Sequence, residues 1–429
     1  MAVSPDLSSG SCPALASTDE AGAQPGQPFF SPAIAPAISS KKGPLLAAAS
    51  TIWLMGILIT YILPILFQAM HESRGFGDGK LGALGAAYMI GTGISQATGP
   101  FWARRWSPRW MSAGALVLVA LGMFGIAFLP EKTDLFWIWL FVGFAAGVAA
   151  TPSFMLLGDT PRPVRTYGVA LFATALVGAA LSFVLPLFVM PVLGGQGVLA
   201  AVAVLFLFAV PCAFALPPNA TESAPLAHGR ALAPQPNVPR SGLLAPVLAS
   251  AAGAIFTGVV FGMIFYFVEP IAAAYGVGPA TVSPLIAASL MAALVGSLLP
   301  TVVARKMPSH RAITASVIAT LVCYPLLMTG SEAVFCVAFI VQGVAANAGY
   351  TCFLEVVRRL DFTDRLYIGY PAAQSLGIAG GTALAGWMLT RFPVGILLGS
   401  AAGLLVFAWL GMALARSLSI PFTSSVQAP

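Results

Sequence analysis

Charge is what this sequence has least of. Asp, Glu, Lys and Arg make up 8% of its 429 residues, against about 25% in an ordinary soluble domain. With 58% hydrophobic residues, a soluble fold could not hide the apolar surface, so a lipid-embedded protein is expected. Histidine is nearly absent. His71, His228 and His310 lie far apart, each in an expected loop outside every long apolar run, so no zinc or iron spacing is present and no intramembrane catalytic histidine is expected. The five cysteines (Cys12, Cys212, Cys323, Cys336 and Cys352) form no C-x-x-C pair. Four fall in apolar runs and read as buried thiols rather than disulfides or ligands. The net charge of +6 comes from basic residues scattered in twos and threes. No basic face with interleaved aromatics results, which argues against nucleic acid as a partner. "RGFGDGKLG" at 74–82 fails as a phosphate loop, because Arg74 stands where a glycine is needed and Leu81 follows Lys80. No metal or other cofactor is expected.

What is present is length of apolar chain. Residues 1–40, rich in Ala, Pro, Ser and Gly, have no periodicity and no signal-peptide pattern, and are expected to be a disordered tail. Twelve apolar runs follow, at about 44–69, 81–102, 110–130, 135–157, 166–190, 196–216, 243–268, 281–303, 312–329, 333–355, 366–388 and 393–415. Each can cross a hydrocarbon layer of ~30 Å as a helix, and none alternates as a barrel strand does. The fifth and sixth runs are divided at "MPVLGGQG" by Pro191, Gly194, Gly195 and Gly197. The seventh and eighth are divided at "EPIAAAYGVGPAT". The fold class is therefore an all-α integral membrane protein of twelve transmembrane helices.

The chain repeats itself. "PLLAAAS" at 44–50 resembles "PVLASAA" at 246–252. "ARRWSPRW" at 103–110 resembles "ARKMPSHR" 201 residues later, and "GFAAGVAATPSFML" at 143–156 resembles "GVAANAGYTCFLEV" 200 residues later. Two pseudo-symmetric six-helix bundles are expected, at 41–216 and 242–416, joined by a Pro-rich linker at 217–241 and followed by a tail at 417–429. With the N-terminus in the cytoplasm, only Arg74, Lys80, Lys132 and Arg391 of the twenty Lys and Arg residues fall outside. This asymmetry supports both termini on the cytoplasmic side of an inner or plasma membrane. It makes Arg104, Arg105, Arg109, Arg305 and Lys306 topological anchors. The Asn219-Ala-Thr221 sequon would be inert in that compartment.

Two six-helix halves, a long middle loop and a basic loop after helices two and eight resemble the major facilitator superfamily over roughly residues 44–416. The family's loop motif runs Gly-x-x-x-Asp-Arg-x-Gly-Arg-Arg. "GPFWARRWSPR" keeps Gly99, Arg104 and Arg109 but has Ala103 at the acidic position and Trp106 at the second glycine. The resemblance implies that the acid helps lock the halves, so Asp159 or Glu355 is a candidate inner-gate substitute. "FVGFAAG" carries no arginine in helix four, and Phe339 stands where helix ten would carry one before Gln342-Gly343. The helix-five antiporter motif is also absent. These departures count against a standard drug–proton antiporter.

The resemblance implies a cavity lined by helices one, four, seven and ten. That makes Thr60, Tyr61, Tyr266, Gln342, Asn347 and Tyr350 candidate substrate-facing residues, with Gln96 a weaker one. Helix eleven carries Tyr370, Gln374, Gly377 and Gly381 on one face, and helix two carries Tyr88, Thr92, Ser95 and Gly99. The two helices are expected to meet across the halves, and Tyr370 and Gln374 join the candidate substrate-facing residues, since a buried amide needs a polar partner. Glu269, in "FYFVEP", is the acid nearest the body of a span and the proton-coupling candidate, with Pro270 expected to bend or end its helix there. The expected protein is a monomeric secondary transporter for a small organic solute, in contact with membrane lipids and driven by an ion gradient, a proton by default. Efflux is slightly ahead on family breadth, a lead narrowed by the missing antiporter motifs, and an uptake permease or uniporter is the alternative. An intramembrane enzyme or a transporter-like sensor finds no support in catalytic residues or an output domain.

Overall fold

The computed structural model describes residues 42–103, 105–130, 133–158, 160, 163–218, 244–303, 308–360 and 365–426. Among these residues every regular element is helical. The first half comprises α1 (Lys42–Arg74), α2 (Asp78–Trp102), α3 (Pro108–Phe128), α4 (Phe136–Gly158), α5 (Pro163–Val184) and α6 (Met190–Ala213). The second comprises α7 (Leu244–Thr257), the short α8 (Val268–Ala274), α9 (Pro279–Val303), α10 (Ser309–Leu327), α11 (Glu332–Leu360), α12 (Arg365–Leu389) and α13 (Val394–Val426). Two π-helical segments, Leu185–Val189 and Gly258–Phe265, extend α5 and α7. Leaving α8 aside, twelve spans result, the eighth to twelfth being α9 to α13.

Nine stretches of the described residues are long and apolar enough to cross a membrane, one of which, 169–213, holds both the fifth and sixth spans. Gly194 breaks that stretch with φ +66° and ψ −176°, a conformation that needs glycine. The remaining two spans, α2 and α12, are diluted by Gly, Ser, Thr and Gln. The physical reason is their place: they pack on protein rather than lipid. In the first bundle α1 packs on α4, α5 and α6, and α3 on α4 and α6. In the second, α7 packs on α11, α12 and α13, and α11 on α9 and α10. The bundles meet where α2 crosses α12 and α5 crosses α9.

One expectation holds with a refinement and two need correction. First, α2 and α12 meet as expected, but through faces other than the two stripes. Tyr88 packs edge-on against Trp139 of α4 at 6.0 Å, and the Thr92 hydroxyl donates to Gly143 O of α4 at 3.1 Å. A Cβ on Gly99 would lie 2.5 Å from Thr151, also of α4. Gly377 and Gly381 lie against Ala254 of α7 and Gly258 of the π segment. Each stripe thus serves its own bundle. The inter-bundle contact uses the adjacent face, where a Cβ on Gly82 would stand 2.8 Å from Gly386 Cα. Second, α1 runs to Arg74, so His71 lies in its last turn rather than in a loop. Third, Pro270 does not end the seventh helix. The helical path breaks at Tyr266 and Phe267, and Pro270 sits in the first turn of α8, where a missing N–H costs nothing.

The Gly82–Gly386 contact leaves no room for a side chain. Gly82→Val is expected to destabilise the state in which α2 touches α12 by about 1–3 kcal/mol, read as a lower thermal midpoint of the purified protein, whereas Gly114→Ala, at a position open around its Cα, should leave the midpoint nearly unchanged.

Candidate functional site

Between the two bundles lies a cavity of about 140 Å³. Its walls come from α1 (Trp53, Ile57, Thr60, Tyr61), α2 (Met89, Thr92, Gln96, Pro100) and α4 (Ala150, Thr151, Phe154, Met155) on one side. Facing them are Thr257 of α7, Phe261 of the π segment, Asn347 and Tyr350 of α11, and Pro371, Gln374, Ser375 and Ile378 of α12, with Leu171 of α5 completing the lining. No charged side chain is among them. The cavity sits toward the ends of the bundle where α1, α5, α7 and α12 begin. At the opposite end the halves are shut by the α2–α12 crossing and by aromatic contacts. Phe67 of α1 meets Tyr266 edge-on at 6.3 Å and Phe267 at 5.7 Å.

Most of the polar lining is already committed. Thr151 donates to Gly147 O at 2.7 Å and Thr257 to Gly253 O at 3.0 Å, each one turn back on its own helix. Thr92 bonds Tyr88 O and Gly143 O. Asn347 spends its Nδ2 on Gly343 O at 3.1 Å. The Ser375 hydroxyl donates to Gln96 Oε1 at 2.9 Å, a bond between the two bundles. Gln374 is different: it is 5% exposed and its Nε2 has no partner. Tyr370, one turn before it, interacts across that turn, yet neither the phenol oxygen nor the amide nitrogen reaches hydrogen-bond geometry. An unpaired buried donor facing a cavity is poised to bind an acceptor that enters it.

The structure therefore gathers Thr60, Tyr61, Gln96, Asn347, Tyr350 and Gln374 around one space. Gln342 lies instead in a smaller neighbouring cavity that shares Phe261 and Asn347 with the main one. Tyr266 and Tyr370 line neither. Tyr266 is held in the aromatic closure with Phe67, and the Tyr370 ring fills the notch left by Gly253 of α7. The sequence reading missed Trp53, Met89, Phe154, Met155, Phe261 and Ser375. Ser375 had a signal, since it follows Gln374 on a Gly-rich helix; the apolar five look like any other residue of an apolar span.

The charged candidates lie outside this cavity. Glu269 is in the first turn of α8, beyond the spanning segment that ends at Phe265. Half-buried there, it sits near His71, Glu72 and Asp78 of the first bundle. Burial pushes its carboxyl above the usual glutamate range; the His71 charge opposes this, and Glu72 and Asp78 add to it. At the other end, Arg109 Nε donates to Leu216 O at 3.1 Å, and Trp110 stacks edge-on to Phe214, so the start of α3 is tied to the end of α6. Arg105 is exposed. Glu355 lies 4.0 Å from Arg358 on its own helix. Arg104, Asp159, Arg305 and Lys306 fall outside the described residues.

The sequence profile of the Major Facilitator Superfamily matches residues 48–363. No curated protein sequence matches the chain. Among solved structures, the xylose transporter XylE from E. coli superposes with a TM-score of 0.66 at 15% identity, over 87% of this chain and 99% of that one. The nucleoside transporter NupG gives 0.59 at 14%, over 86% and 99%. The human organic anion transporter MFSD10 gives 0.60 at 14%, over 87% and 100%.

The Gln96–Ser375 bond is open to direct measurement. A double-mutant cycle of Gln96→Leu and Ser375→Ala should return a coupling of about 0.6 kcal/mol, typical of a hydrogen bond within a membrane protein, in the thermal or denaturant stability of the purified protein.

Proposed function

Because the chain belongs to the major facilitator superfamily, we propose that it is a secondary active transporter that moves a small organic solute by alternating access of its two bundles. The observation that carries this reading is the cavity of about 140 Å³ at their junction. A ligand there would touch both bundles, as rocking around a fixed site requires. Its substrate-facing residues are Thr60, Tyr61, Gln96, Asn347, Tyr350 and Gln374. The uncharged lining suits a neutral solute. A phosphate or carboxylate would enter with no cation to offset its lost hydration. Of the transporters that share the fold, two are named for uncharged solutes and one for organic anions, so the preference for a neutral solute rests on the lining alone.

The proton is the proposed coupling ion and Glu269 its carrier, with export slightly favoured over import. Both termini are placed in the cytoplasm, in the inner or plasma membrane, on the Lys and Arg asymmetry. The chain works as a monomer without a cofactor. Glu269 is half-buried while the aromatic end of the bundle is closed, so that state favours its protonated form. A raised carboxyl pKa means that the stability of this state is highest at low pH and falls as pH rises through the raised value.

Two measurements test the reading. In proteoliposomes, flux of a transported solute should fall at least about tenfold in Asn347→Ala and in Gln374→Leu, and should collapse with an uncoupler in the native protein. Flux that ignores the uncoupler would make the protein a uniporter. In the second, the native thermal midpoint should decline from pH 5 to pH 8 more steeply than that of Glu269→Gln; parallel pH profiles would remove Glu269 from the coupling role.

A further inference from the structure

The smaller cavity beside the central one has a chemistry of its own. It measures about 20 Å³, room for a single water-sized group. The π-helical segment of the seventh span supplies part of its wall through Val260, Phe261 and Phe265. Such a bulge displaces side chains from the regular helical register and is frequent at functional sites. Phe339 closes the far side, stacked on Phe265 at 6.3 Å. Three polar side chains face this apolar box: Ser289, Gln342 and Asn347.

Their hydrogen-bonding capacity is unevenly spent. Gln342 is 2% exposed and its Oε1 has no partner. Asn347 commits its Nδ2 to Gly343 O, which leaves its side-chain oxygen as an acceptor. Ser289 is 3% exposed, with its Oγ pressed against Gly343. The box thus presents the unpaired Gln342 Oε1 and the Asn347 side-chain oxygen as acceptors, beside a Ser289 hydroxyl that can donate as well as accept. A buried unpaired acceptor costs free energy, and the cost is recovered when a donor arrives. A bare cation is a poor donor here, because no carboxylate lines the box and its charge would stay uncompensated. A hydroxyl is small, neutral and donates one hydrogen bond.

We infer that this side pocket is a hydroxyl-recognition subsite, in which Gln342 Oε1, helped by Ser289 and Asn347, accepts a hydrogen bond from a hydroxyl group of the transported solute. The inference rests on the central cavity being the solute site. Phe261 and Asn347 belong to both spaces, so a ring held in the central cavity can direct one substituent past them. The solute class that follows is a small cyclic or short-chain polyol, or a molecule carrying such a moiety. Gln374 Nε2, the unpaired donor of the central cavity, would take an acceptor oxygen of the same solute. The two amides then read opposite hydrogen-bonding partners from neighbouring walls.

The test uses the purified full-length protein and matched probes: small cyclic polyols and pentoses, each paired with its singly deoxygenated analogue, titrated by thermal shift. At least one pair should differ by about tenfold in Kd in the native protein. Gln342→Leu should abolish that difference by weakening the hydroxylated member alone, and Ser289→Ala should reduce it. Without ligand, Gln342→Leu should melt no lower than the native protein, since it removes an unpaired buried amide. A lower midpoint would instead mark Gln342 as a structural group bridged by fixed water and overturn the assignment. So would equal weakening of both members, or no probe binding to the native protein. If Gln374→Leu loses both members of a pair while Gln342→Leu keeps the discrimination, the central site stands and the side pocket is removed from it.

Discussion

The arrangement depends on how closely backbones can approach one another across an uncharged bundle. Lipid tails are as apolar as leucine, so burying apolar surface gives helices no reason to associate in a membrane. Close packing has to do it. Here close approaches run through glycine: Gly82 against Gly386 between the bundles, Gly143 against Tyr88 within the first, and Gly377 against Ala254 within the second. The α2–α12 crossing has a second consequence. It shuts one end of the junction, with Phe67, Tyr266 and Phe267 filling the remainder, and so confines the cavity to the other end. The same small residues therefore hold the bundles together and decide which end is closed.

The polar chemistry of the junction follows from what that packing leaves over. Threonine is tolerated in a span because its hydroxyl can bond back to its own helix, and Thr92, Thr151 and Thr257 all do so. They add shape and polarity to the wall but have little capacity left for a ligand. The two glutamines with unpaired atoms, Gln342 and Gln374, cannot satisfy both ends of their amides in this way. Specificity is accordingly expected to be concentrated in a few amides, with Trp53, Phe154 and Phe261 giving an apolar surface on which a ring can lie.

The fold was legible in the sequence because its signals are long-range and redundant. Run length marked the spans, the near-constant offset of repeated segments marked the duplication, and glycines marked the break at Gly194. What failed was local geometry. The stripe Tyr88, Thr92, Ser95 and Gly99 was found correctly as one face of a helix, but a face does not announce its partner, and α4 rather than α12 takes it. Tyr266 lies away from the cavity because it stands five residues beyond Phe261, toward the closed end, where it packs edge-on against Phe67. Six of the nine substrate-facing candidates do share the central cavity, since polar residues in a span have few other places to go. The apolar half of the wall carried no such signature.

The position of the charges constrains the mechanism further. If a proton drives transport, its carrier is not in the solute cavity, whose lining has nothing that titrates near neutral pH. Glu269 stands at the closed end, near acids of the opposite bundle. Coupling on this plan would act on the closure rather than on the solute. Protonation would remove the cost of burying the Glu269 carboxylate, with a smaller relief of repulsion from Glu72 and Asp78 that His71 opposes, and so would favour closure of the aromatic end; loss of the proton would favour opening. On this plan two properties often found in one site would be separated: uncharged amides at the junction would choose the solute, and carboxylates beyond it would couple the closure to the proton.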